Sequence, residues 1–412
     1  MEKQNETTLA KITDAARREA GVSRRDLSRR SLLKGAVGAV GLGMVAPFVS
    51  TGRHQLFAWS PQEYSTRCID LVEGSLVIDM LGLLSLNGET EQRWGPGFDG
   101  MTAEDIEHFK ASGIDVFHIA SGVGGVTQQD AYQNCLAFVS QYNSIVANRP
   151  DVFMRIDSVT DLAAVHNSDR TGVLIGIQDS SHFRNPNDVN TFHALGQRVS
   201  QLTYNSRNLI GNGSTERIDG GISDFGVRIV ERMNEVGMAV DVSHSGDQTT
   251  LDACEVSVKP VLFTHSNVRD LAAGHPRCKT DEAIRRMAAT GGVMGITGVR
   301  MFVTTEEPTT IEHYMDHFDH VRDLVGVEHL GIGSDIDLFG YDDMPADAYA
   351  ALKANYKGSY AFRDKIDIDE VAHPKRMFDV AEGLIQRGYT DEHIRGILGG
   401  NFQRVFGEIW GA

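Results

Sequence analysis

From about residue 75 onward, short runs of β-branched and apolar residues alternate with longer amphipathic stretches. This alternation is typical of repeated βα units around a parallel sheet, whose strands are buried on both faces and therefore contain few polar positions. Eight such runs predict eight strands, at Leu76–Met80, Val116–Ala120, Val173–Ile177, Val199–Thr203, Met238–Val242, Pro260–Thr264, Gly292–Ile296 and Leu330–Ser334.

The stretches between these runs have the apolar spacing of helices that bury one face. They predict helices at Thr102–Ser112, Asp224–Val236, Asp281–Thr290 and Ile311–Val325. Eight parallel strands with helices between them predict an α/β fold, a closed (β/α)8 TIM barrel. In such barrels the chemistry lies at the carboxyl ends of the strands, so the residue that ends each run carries information about function.

The amino-terminal segment has the layout of a targeting signal. The sequence Ser28-Arg29-Arg30-Ser31-Leu32-Leu33-Lys34 precedes an apolar, glycine-rich run from Gly35 to Val49. The paired arginines resemble a bacterial twin-arginine signal, whose machinery exports folded proteins. A run of about fifteen residues is too short to span a bilayer comfortably. We therefore expect residues 1–54 to be a signal region, residues 55–412 to form a single barrel domain, and the protein to be periplasmic. No clean cleavage motif follows, so an uncleaved membrane tether stays open as an alternative.

Composition and charge exclude several classes of function. The chain has 412 residues, of which 41% are hydrophobic, and it can therefore bury a large core. Its formal net charge is −17, although the first 54 residues hold ten Lys and Arg against five Asp and Glu. The predicted domain should repel nucleic acid, and the sequence contains neither a P-loop nor a basic stripe. The four cysteines form no CxxC pair, which speaks against a structural zinc finger.

Polar residues able to bind a metal or move a proton stand at the ends of six of the eight predicted strands. Because these strand ends face one mouth of the barrel, we expect their side chains to converge there. The residues are Asp79, Gln178 with Asp179, Tyr204 with Asn205, His244, His265 and Asp335.

Three of these residues, and one arginine, have a specific expected chemistry. His244 and His265 end consecutive strands, and neutral imidazole is a common zinc ligand, although a structural hydrogen-bonding role is the alternative for either ring. Asp335 follows a glycine-rich strand end and is expected to bind metal or act as a general base, with a helix cap as the alternative. Arg277 follows the strand of His265, where its guanidinium could bind a substrate carboxylate.

With these residues in place, the sequence resembles the membrane (renal) dipeptidase family, peptidase family M19 of the amidohydrolase superfamily, over roughly residues 75–410. The segments that carry the resemblance are residues 221–226, 233–244, 263–267, 275–277, 331–335 and 400–406. The resemblance implies metallopeptidases that hydrolyse dipeptides with two zinc ions. Their ligands are a His-x-Asp pair after strand 1, a bridging Glu after strand 3, two His after strands 5 and 6, and an Asp after strand 8.

Part of the family pattern carries over to this chain. By the resemblance, His244 and His265 match the two histidines of the second metal. Asp335 matches the aspartate of strand 8, and Arg277 matches the arginine that grips the substrate's carboxylate. These four residues form the half of the site that the sequence retains.

The rest of the pattern does not carry over. Leu81 and Leu83 occupy the positions of the His-x-Asp pair, and leucine cannot coordinate zinc. Gln178 replaces the bridging Glu, and Tyr204 replaces the histidine that polarises the substrate. The first metal site is therefore predicted to be abolished, while His244, His265 and Gln178 could still hold one metal.

These residues predict a dipeptidase-like hydrolase that cleaves a small amide or dipeptide-like substrate with at most one zinc or similar divalent metal ion. Asp335 would be the general base, and Tyr204 would contact the substrate and donate to a developing oxyanion. One alternative is a metal-free tailoring or maturation enzyme that uses His244, His265, Asp335 and Tyr204 as acid/base groups. The other is a catalytically inactive binding homologue. The expected partners are the substrate and the twin-arginine export machinery, and a homodimer is possible because the family often forms dimers.

Overall fold

The computed structural model describes residues 52–56, 63–85, 87–122, 124–341 and 344–411. Residues 1–51 of the predicted signal region, including Arg29 and Arg30, lie outside these residues. The described strands are β1 Arg53–His54, β2 Tyr64–Ser65, β3 Ile78–Asp79, β4 Val116–Ser121, β5 Phe153–Arg155, β6 Thr171–Ile177, β7 Gln197–Gln201, β8 Ala239–Asp241, β9 Val261–Ser266, β10 Met294–Ile296 and β11 Leu330–Ile332.

Eight of these strands form the wall of a parallel barrel. They pair in the order β11, β10, β9, β8, β7, β6, β4, β3, and β5 joins as an extra parallel strand on β6. The first and last strands of this order meet beyond their regular pairing, where Met80 N donates to Ile332 O at 2.9 Å and Asp335 N donates to Leu81 O at 2.7 Å. A parallel bridge between Gly82 and Ile336 continues this seam. The barrel therefore closes between β3 and β11.

The eight predicted strands all form, and the predicted barrel is confirmed. The observed strands differ from the predicted runs by a few residues at their ends. The structure adds β5, a strand of three residues that the sequence pattern did not predict. The short strand β1 pairs antiparallel with β2, so Arg53 and His54 contact the region that begins the barrel domain.

Helices lie between the strands of the barrel. Their bounds are Thr66–Glu73, Gly88–Trp94, Ala103–Ala111, Gln128–Asn148, Val159–His166, Pro186–Ala194, Asp224–Val236, Asp247–Val256, Asp281–Ala289, Arg300–Val303, Ile311–Val325, Ala346–Ala354, Arg376–Gln386, Asp391–Arg395 and Asn401–Trp410. Local signals set many of these ends. Ser223 accepts a hydrogen bond from Gly226 N at the start of Asp224–Val236, and Gly237 ends that helix with φ of 78°.

The core has one layer inside the barrel and one between strands and helices. Every residue of β6 is buried, as expected of a parallel strand covered on both faces. The carboxy-terminal helix Asn401–Trp410 buries Phe402, Val405, Phe406 and Ile409. These side chains pack in one cluster with residues at or near the starts of five strands, namely Ile78, Val116, Ala239, Leu262 and Val293. This helix therefore covers the amino ends of the strands, which leaves the carboxyl ends for the site.

All four cysteines are unpaired, and burial is the main cause that raises the pKa of each thiol. Within the described ranges, no helix combines the length and the apolarity that crossing a membrane requires.

Candidate active site

The predicted site residues lie at the carboxyl ends of the barrel strands. Gln178 follows β6, His265 lies in β9, and Asp335 follows β11. Tyr204 and His244 follow β7 and β8, and their rings are stacked, with centroids 4.1 Å apart and an angle of 20° between planes. The barrel thus brings residues that are distant in sequence to one end of the molecule.

The two histidines form a direct pair. His244 Nε2 and His265 Nε2 are 3.0 Å apart. Both rings are almost inaccessible, with exposures of 2% for His244 and 0% for His265. Burial lowers the pKa of both imidazoles well below the usual value, and the nearby Arg277 lowers each further.

The other nitrogen of each ring has an oxygen partner that assigns its proton. His265 Nδ1 is 2.9 Å from Thr264 Oγ1, and the Thr264 hydroxyl donates to Asp241 Oδ2 at 2.8 Å. Because that hydroxyl proton is used, the oxygen of Thr264 accepts the proton on His265 Nδ1. His244 Nδ1 lies 2.8 Å from Asn205 Oδ1, an acceptor.

Both rings are therefore assigned as Nδ1-protonated tautomers, so that their unprotonated Nε2 atoms face each other and their lone pairs repel unless a cation lies between them. Two converging imidazole lone pairs, oriented by outer hydrogen bonds, are the donor arrangement that a metal ion uses. Each of the two rings thus offers one nitrogen that can bind a metal ion. A metal site needs further donors beside these two nitrogens.

Gln178 offers one further oxygen. Its Nε2 donates to Ala120 O at 3.0 Å, which fixes the amide and leaves Oε1 as the free acceptor. The residue is 8% exposed and lines a cavity at this end of the barrel. Oε1 accepts no hydrogen bond from the described part of the chain.

The donor set does not fit the two-metal centre that the family implies. Leu81, with 0% exposure, and Leu83, which lines the cavity, stand where two ligands would be needed. Asp79 is not free either, because it accepts hydrogen bonds from Ser334 and Arg376. Across the described residues no group of three or more His, Cys, Asp and Glu is arranged to hold a metal ion. His244, His265 and the amide oxygen of Gln178 are a neutral donor set that fits one metal at most.

Two buried cations lie behind the histidine pair. Arg277 is 1% exposed, donates from Nη2 to His265 O at 2.7 Å and also donates to Ser243 O. Lys279, also 1% exposed, donates to Val242 O at 2.7 Å and Ser245 O at 2.9 Å, and burial lowers the pKa of its ammonium to about 7. Both side chains hold the backbone that carries the histidines. The sequence-predicted role of Arg277 in binding a substrate carboxylate stays a prediction.

A cavity of about 280 Å³ lies at this end of the barrel. Gln178, Tyr204 and Asp335 line it, whereas His244, His265 and Arg277 do not. The outer wall comes from the segment 344–366, named here the cap segment, which includes the helix Ala346–Ala354. Tyr204 OH and Tyr356 OH of the cap segment are 2.8 Å apart, which joins the barrel to its cover.

Asp335 presents an unpaired carboxylate to this cavity. Its φ is 62°, in the left-handed region that a non-glycine residue seldom adopts and that is often found at functional sites. The carboxylate accepts no hydrogen bond from any described residue. Burial raises the pKa of Asp335 to about 7, against a smaller lowering by Arg277. A carboxyl group with this pKa can exchange a proton near neutral pH.

Tyr204 is another polar group on the cavity wall whose pKa is shifted. Burial raises the pKa of its phenol well above the usual value, and the neighbouring Tyr356 and Tyr360 raise it further. The phenol therefore stays protonated at neutral pH and can act as a hydrogen-bond donor.

Sequence reasoning missed several residues that shape the site. Asn205, Thr264 and Asp241 orient the histidines, and Asn205 was noted only as a strand end. His118 in β4 does not end a predicted strand, yet it lies inside the barrel with Nδ1 2.8 Å from Met80 O and with Nε2 buried without a hydrogen-bond partner among the described residues. Its position at the centre of a predicted strand was the available signal. Tyr356 and Tyr360 lie in a segment without periodicity and gave no signal.

The closed barrel and its strand-end residues together define an amidohydrolase-type (β/α)8 barrel. A solved structure of an amidohydrolase from Pseudomonas aeruginosa matches with a TM-score of 0.70 and 28% identity, over 84% of this chain and 99% of that one. The structure of the probable dipeptidase PvdM from Pseudomonas aeruginosa matches with a TM-score of 0.68 and 18% identity, over 83% and 97% of the two chains. The second likeness supports the fold alone.

The family follows from the sequence comparison. The profile of the membrane dipeptidase family, peptidase family M19, matches residues 74–353, and the chain belongs to this family. Dipeptidase verJ of Clonostachys rogersoniana is 33% identical over 248 residues, which are 60% of this chain and 57% of verJ. The match thus spans little more than half of that relative's length. The family resemblance predicted from the sequence is confirmed.

Proposed function

We propose that this protein is a hydrolase that cleaves a small amide or dipeptide-like substrate in the cavity under the cap segment. The observation that carries the proposal is the placement of Asp335 and Tyr204 on one cavity wall, with the ring of Tyr204 stacked on a paired histidine. Membership of the membrane dipeptidase family supports the reaction class. We further propose that the protein is exported folded to the periplasm by the twin-arginine route.

The cavity residues divide the work of amide hydrolysis. Asp335, with a pKa of about 7, takes a proton from the attacking water as general base. Tyr204 keeps its proton and donates it as a hydrogen bond to the oxygen that becomes negative. The free Oε1 of Gln178 accepts a hydrogen bond from the water or substrate.

At most one divalent metal ion, zinc or similar, belongs to this proposal. His244, His265 and Gln178 would hold it, because their nitrogen and oxygen donors face the same end of the barrel. A metal in such a position supplies a Lewis acid and lowers the pKa of bound water. The neutral ligands predict weak binding, since Glu in place of Gln178 would neutralise part of the metal's charge.

A second candidate is a metal-free tailoring or maturation enzyme that uses His244, His265, Asp335 and Tyr204 as acid/base groups. The neutral donor set and the nearby cations Arg277 and Lys279 favour it, because both oppose the binding of another cation.

Metal analysis of protein purified without chelator separates the two. About one metal ion per chain, lost in His265→Ala and kept in the matched control His193→Ala, supports the one-metal hydrolase. Absence of metal after reconstitution contradicts that version and leaves the metal-free enzyme. Turnover of a panel of dipeptides and aminoacyl amides tests the reaction itself. Unchanged turnover in His265→Ala would argue against both candidates.

A further inference from the structure

The wall of the cavity is unusual in its charge. Among the described residues that line the cavity, Asp335 is the only acidic residue, and none of the others is Lys, Arg or His. The remaining lining residues are apolar, aromatic or neutral polar. The aromatic members are Tyr204, Phe302, Tyr341, Tyr356, Tyr360 and Phe362. The cavity thus combines one carboxylate with a wall rich in aromatic rings.

The aromatic rings of this wall pack against one another. Tyr356 and Tyr360 have centroids 4.6 Å apart, and Tyr360 and Phe362 are stacked at 5.5 Å with an angle of 27°. Phe302 meets Tyr360 edge to face at 5.4 Å. The faces of such rings attract cations, and a cage of several rings is a recurring way to bind an ammonium group.

The cations nearest to the cavity are turned away from it. Arg277 is 1% exposed and donates to the carbonyl oxygens of Ser243 and His265. Its guanidinium carbon lies 5.5 Å from the ring centroid of Phe302, a lining residue. Lys279 donates to backbone carbonyls as well, and neither residue lines the cavity. A free carboxylate in the cavity would therefore contact the Asp335 carboxylate and no cationic side chain of the described wall, and Arg277 would attract it only from behind that wall.

We propose that this cavity selects an ammonium group carried on an aromatic or apolar body, held between Asp335 and the rings of Tyr356, Tyr360 and Phe362, and that it disfavours a free carboxylate. As a statement about substrate this rests on the proposed hydrolase function, and it narrows the substrate to an amine-bearing amide whose carboxyl end is blocked or absent. Arg277 then acts as a positioning residue that holds the backbone of the histidine strands.

Binding of three small probes tests the proposal without any turnover. The probes are 2-phenylethylamine, 2-phenylethanol and 3-phenylpropanoate, which share a phenyl ring and differ in charge, and calorimetry on the full chain gives their affinities. We expect the amine to bind about tenfold or more tightly than the alcohol, because a charge-assisted hydrogen bond to Asp335 adds to the ring contacts. The carboxylate should bind more weakly than the alcohol.

Two variants of equal charge change locate the effect. Asp335→Asn should reduce the preference for the amine over the alcohol to within about twofold, since the anion is gone and the rings remain. Asp364→Asn removes one negative charge from the exposed surface of the cap segment, outside the cavity wall, and should keep the full preference. Phe362→Leu should weaken the binding of both probes through lost ring contact, and that of the amine more, because the ring face also attracts the ammonium.

Tight binding of 3-phenylpropanoate, equal to or better than the amine, would overturn the proposal and favour the carboxylate clamp expected of Arg277. An amine preference that persists in Asp335→Asn would also overturn it. Failure of the proposed hydrolase function gives a different pattern, in which the amine preference is measured but no amide is cleaved.

Discussion

At the scale of single residues, the neighbouring groups determine which atoms of the site carry a proton. Thr264 and Asn205 fix the tautomers of His265 and His244, and Asp241 fixes Thr264 in turn. Asp335 accepts no hydrogen bond from the described residues, and burial is the largest cause of its raised pKa, with a smaller contribution from the negative charge of Asp79. The histidines are therefore held in one state, whereas the carboxyl group of Asp335 is free to change its protonation near neutral pH.

The raised pKa of Asp335 predicts a pH-dependent difference in stability. A carboxyl group whose pKa is higher in the folded than in the unfolded state stabilises the fold at low pH, and this contribution is lost as pH rises through the folded pKa, here about 7. Asn accepts the same positive φ as Asp, so the backbone is unaffected by the change. We expect the melting temperature of Asp335→Asn, relative to the unsubstituted protein, to rise between about pH 5 and pH 8.

Differential scanning calorimetry across this pH range checks the sign. Asp364→Asn, an exposed carboxylate outside the cavity, serves as the control and should give a constant difference. A constant difference for Asp335→Asn as well would mean that its carboxyl group is not desolvated.

Strand-end position explains which of these residues the sequence could predict. His244, His265 and Asp335 each end an apolar run, so the barrel pattern alone marks them. Asp241 lies inside its predicted run and Thr264 is the last residue of its own, and in both places a polar residue predicts only a hydrogen bond of unknown partner. Sequence spacing does not reveal that partner, because it comes from the neighbouring strand.

At the scale of elements, local capping signals decided how well the sequence predicted the bounds. Asp224–Val236 and Ile311–Val325 have the predicted bounds, and the first of these lies between a serine cap and a glycine with positive φ. The strand Phe153–Arg155 was missed because three residues are too few to show a period. The sequence does not predict the cap segment, since its aromatic residues follow no repeat.

The cap segment predicts a local change in dynamics. Tyr356→Phe removes the hydrogen bond between the hydroxyls of Tyr356 and Tyr204 but keeps the ring that packs on Tyr360. A hydrogen bond of this kind contributes about 0.5–1.5 kcal/mol. We expect amide exchange in Ala346–Ala354 and Gly358–Tyr360 to accelerate about threefold to tenfold, measured by hydrogen-exchange mass spectrometry.

Tyr142→Phe in the helix Gln128–Asn148 is the matched control, because it removes a hydroxyl away from the cap segment. Exchange in the cap segment should not change in that variant. Equal exchange in the Tyr356→Phe and unsubstituted proteins would show that ring packing alone holds the cap closed.

At the scale of the whole molecule, one buried ion pair stands where the barrel closes. Asp79 at the end of β3 and Arg376 in the helix Arg376–Gln386 are 0% and 2% exposed at their side chains, with Nη2 and Oδ2 3.0 Å apart. Asp79 also accepts from Ser334 N at 2.8 Å, just beyond β11. The pair therefore links the first and last strands of the barrel order to a covering helix.

Removing one partner of this pair should destabilise the entire barrel. Arg376→Met leaves the Asp79 carboxylate buried with only the neutral donors of Ser334 and the Leu81 backbone, and breaking a buried pair in this way costs about 3–5 kcal/mol. Asp79→Asn together with Arg376→Met removes both charges and retains an acceptor for Ser334, so the double variant should lose less than Arg376→Met alone. Urea unfolding of the three proteins gives the free energies of unfolding and the coupling between the two sites.

The exposed pair of Arg67 and Asp391, with side-chain exposures of 45% and 58% and a separation of 2.7 Å, provides the control. Arg67→Met should cost less than about 1 kcal/mol, because water screens an exposed pair and solvates the partner that remains. A cost for Arg376→Met no larger than for Arg67→Met would mean that the backbone hydrogen bonds between β3 and β11 close the barrel without help. A large cost that the double variant does not reduce would assign the effect to lost packing of the arginine, since removing the buried charge would then bring no recovery.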